Sequence, residues 1–315
     1  MVNYLVRRLV TMVITTLLVV VMIFLIFRVI PGDPALIILG TEADEAQLQA
    51  LRSRLGADRP LIDQFIAWLL GALRGDLGVS LRFNQPVTKM IADRLMVSVP
   101  LALFSVALVI GVSIPLGVSL ALIRSRPVEL TFSYLSQLGM AVPSFWVALL
   151  LMMLFGVALR WVPLGETVDW QRNPAASLRA LALPAIALAL PAIAVVARYV
   201  RGGLLDQLGQ NYVRTALGKG LSFPRTVYRH ALRNALMPVT TVLGVIFADI
   251  IAGAVIIETV FALPGVGLLL VTAVGYRDFP LIQGLALHIA VVVVTLNFTV
   301  DLAYRVIDPR VRLDR

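Results

Sequence analysis

Five long runs without a charged residue dominate this chain: Leu9 to Phe27, Val97 to Ile123, Thr131 to Leu159, Ala180 to Ala197 and Phe279 to Val300. A helix needs about 20 residues to cross a hydrocarbon core ~30 Å thick, and each run is close to that length or longer. A sixth stretch, Ala235 to Leu263, is apolar except for Asp249 and Glu258. The runs are apolar all round, whereas helices of a soluble core would be amphipathic. A mean hydropathy of +0.92 agrees. The expected fold class is therefore an all-α integral membrane protein with about six transmembrane helices. Arg7 and Arg8 precede the first run, but that run exceeds the usual 7–15 residue signal core, and no small-residue cleavage site follows before Pro31-Gly32-Asp33-Pro34. A retained anchor is the expectation.

Positive charge sorts by loop. Arg7 and Arg8, Arg124 and Arg126, the segment from Arg198 to Arg233, and Arg305 to Arg315 lie before the first run and after the second, fourth and sixth, so all fall on one side. The segment from Pro31 to Met96 is nearly balanced by comparison. The positive-inside rule then puts both termini and the basic loop in the cytoplasm. The expected division is 1–30 for the tail and first helix, and 31–96 for an external cap. A core follows over 97–305 with a cytoplasmic loop at 201–236, then a tail over 306–315. Within the cap, Glu42 to Leu55 reads as a polar helix stopped at Gly56. Pro60 to Leu73 reads as an interfacial helix anchored by Trp68, and Gly75-Asp76-Leu77-Gly78 as a turn. Trp161 and Trp170 fall where an outer aromatic belt lies.

Catalytic motifs are missing. The chain has no cysteine and only two histidines, His230 and His288, with no zinc-protease, nucleophile-elbow or phosphate-loop pattern. Ser144 and His288 are the one nucleophile–base pair available to an intramembrane hydrolase, and nothing in the sequence joins them. No catalytic residue and no metal ligand is expected. The +9 formal charge reflects cytoplasmic loops, so no nucleic-acid partner is expected either. Among polar groups inside the spans, Asp249 is the deepest, and such groups tend to face a bundle interior or a water-filled path. A local cap near a helix bend is its other reading. Glu258 and Asp301 are expected at the interfaces.

The segment from Val213 to Pro238 holds Arg214, Lys219, Arg225, Arg229 and Arg233 and no acid. Its spacing predicts a short helix to Gly220, a turn at Ser222-Phe223-Pro224, and a second helix. In that helix Arg225, Arg229 and Arg233 form one stripe, and Tyr228, Leu232 and Leu236 the next. Two readings remain: a basic loop on anionic lipid, at about 1 kcal/mol per base, or a knob for a socket in a soluble partner.

Here a resemblance enters. Arg214-Thr215-Ala216-Leu217-Gly218-Lys219-Gly220, nine residues, then His230-Ala231-Leu232-Arg233 is similar to the "EAA" loop of ATP-binding-cassette importer permeases, which has a glycine in the seventh place. The glutamate, isoleucine and proline positions differ, and those departures resemble the peptide/nickel branch, near the dipeptide and oligopeptide "B" subunits. Pro143-Ser144-Phe145-Trp146, Glu258-Thr259-Val260-Phe261 and Leu263-Pro264-Gly265-Val266-Gly267 resemble further blocks of that family. The resemblance implies a type I importer permease in a bacterial inner membrane. It implies as partners a second homologous permease, two cytoplasmic ATPases carrying ATP and magnesium, an extracytoplasmic binding protein and membrane lipid. No cofactor is expected on this chain. Arg214, Thr215, Ala216, Leu217, Gly220, Arg225, Arg229, His230, Leu232 and Arg233 would form the coupling loop. In it Ala216 and Leu217 would enter an apolar socket while the arginines meet acids on its rim. Asp249, Ser144 and Phe145 would line the path. Short peptides are the expected cargo, with nickel chelate or glutathione as alternatives. An ion-coupled transporter using Asp249 as its coupling acid is the competing class.

Overall fold

The computed structural model describes residues 2–29, 44–55, 58–123, 125–162, 165 and 168–307. Apart from short connections, these residues are helical. Among them there is no strand, only an isolated antiparallel bridge between Val79 and Pro86. Hydrocarbon offers the backbone no water to bond with, so a spanning chain closes its hydrogen bonds within each helix.

The helices in order are α1 (Val2–Val29), α2 (Glu45–Leu55), α3 (Leu61–Leu73), α4 (Val87–Leu122), α5 (Arg126–Ala141) and α6 (Ser144–Leu151), which runs on as a π-helix over Met152–Ala158. Then come α7 (Pro174–Leu208), α8 (Asn211–Gly218), the short α9 (Phe223–Thr226), a π-turn (Val227–Ala231), α10 (Leu232–Val260), α11 (Val266–Gly275) and α12 (Phe279–Ile307). Five of these helical stretches are long and apolar enough to cross a membrane, and six when the bent pair α5–α6 is one span. Gly56, residues 30–43 and the tail from 308 lie outside the described residues.

The third run differs from the straight span its sequence suggests. It is broken between α5 and α6 by a bend of 101°. The cause is local. Pro143 has no N–H to donate, and its ring drives the preceding Val142 to an extended conformation, φ −88° and ψ 120°. The second span also starts earlier than its apolar run, at Val87.

The chain forms two compact units, Met1–Met96 with Gly265–Thr295, and Val97–Pro264 with Leu296–Arg315. In the first, Phe24 of α1 meets Phe65 and Trp68 of α3, with ring centroids 5.2 and 6.0 Å away. Trp68 thus packs on α1. Val87, Ile91, Val266, Leu269, Leu281 and Leu285 form this unit's core.

In the second unit α7 is the central helix. Of its most apolar window, 56% is buried, against 17–28% in the other four spans. Glycines let its neighbours approach closely. A Cβ on Gly117 of α4 would lie 2.7 Å from the Ala197 carbonyl oxygen and from Val200 Cβ. Between α7 and α10, Gly203 faces the Ala235 carbonyl and Gly253 faces Leu188, so the two helices run antiparallel. Two clusters line this pair, one around Val200, Leu204, Ala231 and Ala235, the other around Leu101, Leu181, Ala185 and Ile257.

Gly117→Val forces methyl groups into backbone and should lower the stability of the purified protein by about 1–3 kcal/mol, read as a fall in Tm. Gly111→Ala, where a Cβ meets nothing within 4 Å, should leave Tm unchanged or slightly raised.

Candidate functional site

The basic segment is built around one helix stop. Lys219 donates to the Thr215 carbonyl (3.0 Å), Gly220 to that of Leu217 (2.9 Å) and Leu221 to that of Ala216 (3.3 Å). The last two bonds are the paired 5→2 and 6→1 bonds of a Schellman cap, which needs a left-handed residue between them. Gly220 supplies it with φ +86°. The chain re-enters helix at Phe223-Pro224, where a missing proline N–H costs nothing. Ser222 stands at the N-cap, and its side chain makes no capping bond.

The arginine stripe is altered by a π-turn over Val227–Ala231, which adds a residue to the turn and rotates the helix beyond it. Thr226, Val227, Ala231 and Ala235 face the core, and Leu232 and Leu236 pack beside them at its edge. Tyr228, expected in their stripe, is instead 61% exposed. Arg214, Thr215, Arg225, Arg229 and Arg233 are exposed, and His230 is half-buried. Ala216, placed by sequence in a partner's socket, is buried within this chain, on the same helix as Val213, which joins the α7 core. The apolar groups left free are Leu217, Phe223 and Tyr228. The surface is thus three apolar side chains among five bases, with no acid between Val213 and Pro238.

Among the path candidates, Ser144 begins α6 and its hydroxyl lies 3.8 Å from where a Cβ on Gly253 would sit. Gly253 is one turn from Asp249 on α10, so the structure brings Ser144 to the neighbourhood of Asp249. Phe145 is half-buried, while Asp249 is exposed and has no hydrogen bond or ion pair among the described residues. An aspartate at the centre of a lipid-facing helix costs about 2.5–3.5 kcal/mol on insertion scales. His288 belongs to the other compact unit. Among the described residues, no three His, Cys, Asp or Glu are grouped as a metal would require.

Two buried carboxylates carry more structure than their sequence context suggests. Glu258, expected at an interface, is 1% exposed and accepts from the Ser98 hydroxyl at 2.6 Å. Asp278 accepts from the Ser80 hydroxyl at 2.5 Å and from the backbone N–H groups of Leu81, Arg82 and Leu281. It therefore caps α12 and ties down the turn before α4. Its position just before Phe279-Pro280 is a legible cap signal. Ser80 carries no such signal, being 198 residues away. Above this knot the Arg82 guanidinium lies over the Tyr276 ring, and Phe83 meets its edge.

Known families match nearly the whole chain. Residues 113–313 match the family described as "Binding-protein-dependent transport system inner membrane component", and residues 1–102 match its N-terminal companion. A putative peptide transport system permease protein of Brucella abortus is 41% identical over 298 residues, 95% of each chain. A probable peptide ABC transporter permease protein of Sinorhizobium fredii is 38% identical, over 98% of this chain and 99% of its own. The glutathione transport system permease protein of Salmonella choleraesuis is 35% identical over 99% of both. A crystal structure of an amino acid ABC transporter with histidines shares the fold at TM-score 0.50 and 17% identity, over 69% of this chain and 94% of that one.

Asp278→Ala strands three N–H donors and the Ser80 hydroxyl, and should cost about 3 kcal/mol of stability. Limited proteolysis should then cut first within residues 75–86; an unchanged cleavage pattern and Tm would show that the knot holds nothing.

Proposed function

Since the chain belongs to the inner-membrane component family of binding-protein-dependent transport systems, we propose that it forms half of an ATP-driven import path for short peptides. It is a multi-pass inner-membrane ABC permease of the peptide-importer type, a transport subunit and not an enzyme. ATP and magnesium are held by two cytoplasmic ATPase subunits. A second homologous permease completes the path, and an extracytoplasmic binding protein delivers the cargo.

The observation that carries the coupling role is the surface around Gly220. Leu217, Phe223 and Tyr228 present apolar bulk at a turn whose backbone is fixed by the Schellman bonds, ringed by Arg214, Arg225, Arg229 and Arg233. A lipid-binding loop needs no fixed turn. A knob that transmits force does, and its bases complement acids on a socket rim. Both termini and this segment then lie in the cytoplasm, with residues 31–96 outside, facing the binding protein. Asp249, Ser144 and Phe145 line the path. Peptide cargo is supported by the relatives from Brucella and Sinorhizobium, and glutathione, itself a small peptide, by the Salmonella relative.

Gly220→Asp puts a side chain on a left-handed residue and an acid among the bases. It should abolish ATP-dependent peptide uptake in proteoliposomes while insertion and assembly with the second permease persist. Normal uptake would refute the coupling role, and uptake that follows a proton gradient without ATP hydrolysis would point to the ion-coupled class. A cysteine in place of Leu217 should crosslink to an ATPase and not to the binding protein; the reverse product would invert the topology.

A further inference from the structure

The exposed side of α10 is a single stripe. Thr241, Val245, Asp249, Ala252, Ile256 and Thr259 are all exposed and succeed one another at intervals of three or four residues, the spacing of one helical face. The opposite face, through Val239, Ile246, Ile250 and Ile257, is buried against the rest of its unit. Nothing described in that unit covers the stripe.

Its chemistry differs from that of a lipid-facing helix. On α1 the exposed residues within the apolar run carry no charge: Val10, Val13, Leu17, Leu18, Met22 and Leu25, with Thr11 and Thr15 among them. The α10 stripe has threonine toward each end, a carboxylate in the middle, and Ala252 and Gly253 one turn beyond it. The carboxylate is exposed, and the Ser144 hydroxyl lies 3.8 Å from where a Cβ on Gly253, one turn from Asp249, would sit. Both side chains are acceptors: two carboxylate oxygens and a hydroxyl oxygen. No described base pairs with Asp249. A group with several N–H donors and a positive charge satisfies this set, and an anion does not.

We infer that Asp249, assisted by Ser144, selects solutes with a cationic end, the free ammonium of a peptide, as they pass α10. The inference rests on reading the chain as a peptide importer. That reading calls for a path open to peptides; the added claim is that the path discriminates by charge at this residue.

The chain has no cysteine, so one introduced by Ala252→Cys reports on the stripe in a complex whose partners carry no accessible thiol. The complex is labelled with a trimethylammonium methanethiosulfonate and with a sulfonate one. The cationic reagent should gain about tenfold over the anionic one relative to a free thiol in solution, the effect of one nearby charge in a partly hydrated site. Asp249→Asn should remove that gain, and Asp249→Glu should keep it. Dialanine should slow labelling, and N-acetyl-dialanine should not. A gain unchanged in Asp249→Asn, equal protection by both peptides or by neither, or no labelling by either reagent overturns the inference. In the last case the stripe faces lipid or another subunit. The protection arm needs no change at Asp249, so it decides the matter even where Asp249→Asn does not assemble. ATP-driven uptake of dialanine by the unaltered complex is measured apart. Uptake without charge preference sinks this inference alone, and preference without uptake sinks the peptide cargo alone.

Discussion

Hydrocarbon supplies no hydrogen bonds, and every other feature of this chain is arranged around that fact. Each backbone N–H and C=O inside the membrane needs a partner in its own helix or in the protein. Prolines inside the spanning helices, Pro100 and Pro115 in α4, Pro184 and Pro191 in α7 and Pro238 in α10, each leave a carbonyl of the preceding turn without its N–H partner. Pro184 and Pro191 sit in α7, the helix most enclosed by its neighbours. Pro143 instead ends a helix, and the chain turns by 101° there rather than continuing straight. Irregular backbone also appears outside the apolar spans, at Gly220 and around Asp278. In both places nearby acceptors are already in place: the last carbonyls of α8, and a buried carboxylate.

With backbone bonds closed inside helices, association depends on fit between helix surfaces. Glycine and alanine supply it here, as they do where lipid tails are as apolar as leucine and no hydrophobic force separates helix from lipid. Gly117, Gly203 and Gly253 each mark a place where α7 is approached to within a methyl group. The two carboxylates buried at 1% exposure serve another purpose. Each joins segments far apart in sequence, 160 residues in one case and 198 in the other. A buried charge bonded this way is costly to rearrange, so it fixes register where smooth apolar surfaces would allow slippage.

Periodicity and local turn chemistry made the spans, the Gly75–Gly78 turn and the stop at Gly220 legible. Gly75 and Gly78 have φ of 81° and 86°, and Asp76 Oδ1 accepts from the Gly78 N–H. These are properties of a few adjacent residues. What the sequence could not show depends on distant ones. Ala216 looks like any small apolar residue at a surface turn, and only the tertiary fold buries it. The arginine spacing is correct for an α-helix, but a π-turn, with Thr226, Val227 and Ala231 buried around it, leaves Tyr228 exposed. Glu258 lies near the end of its apolar run and so read as interfacial, while its partner Ser98 belongs to another helix.

The geometry of α10 ties the basic surface to the membrane interior. Helical backbone is unbroken from Phe223 to Val260, 38 residues, or roughly 57 Å at 1.5 Å per residue. One end adjoins the turn at Gly220, Asp249 lies about two-thirds of the way along, and Gly253 one turn further. The contacts of Gly203 with Ala235 and of Gly253 with Leu188 hold this rod against α7 at both ends of the shared interface. Close-packed contacts of this kind do not compress. Under the proposed coupling role, a displacement at the turn would reach the Asp249 stripe by movement of the α7–α10 pair as one body. The π-turn, with its looser i→i+5 bonds, and Pro238, which lacks an N–H, are the irregular points of the rod near its basic end.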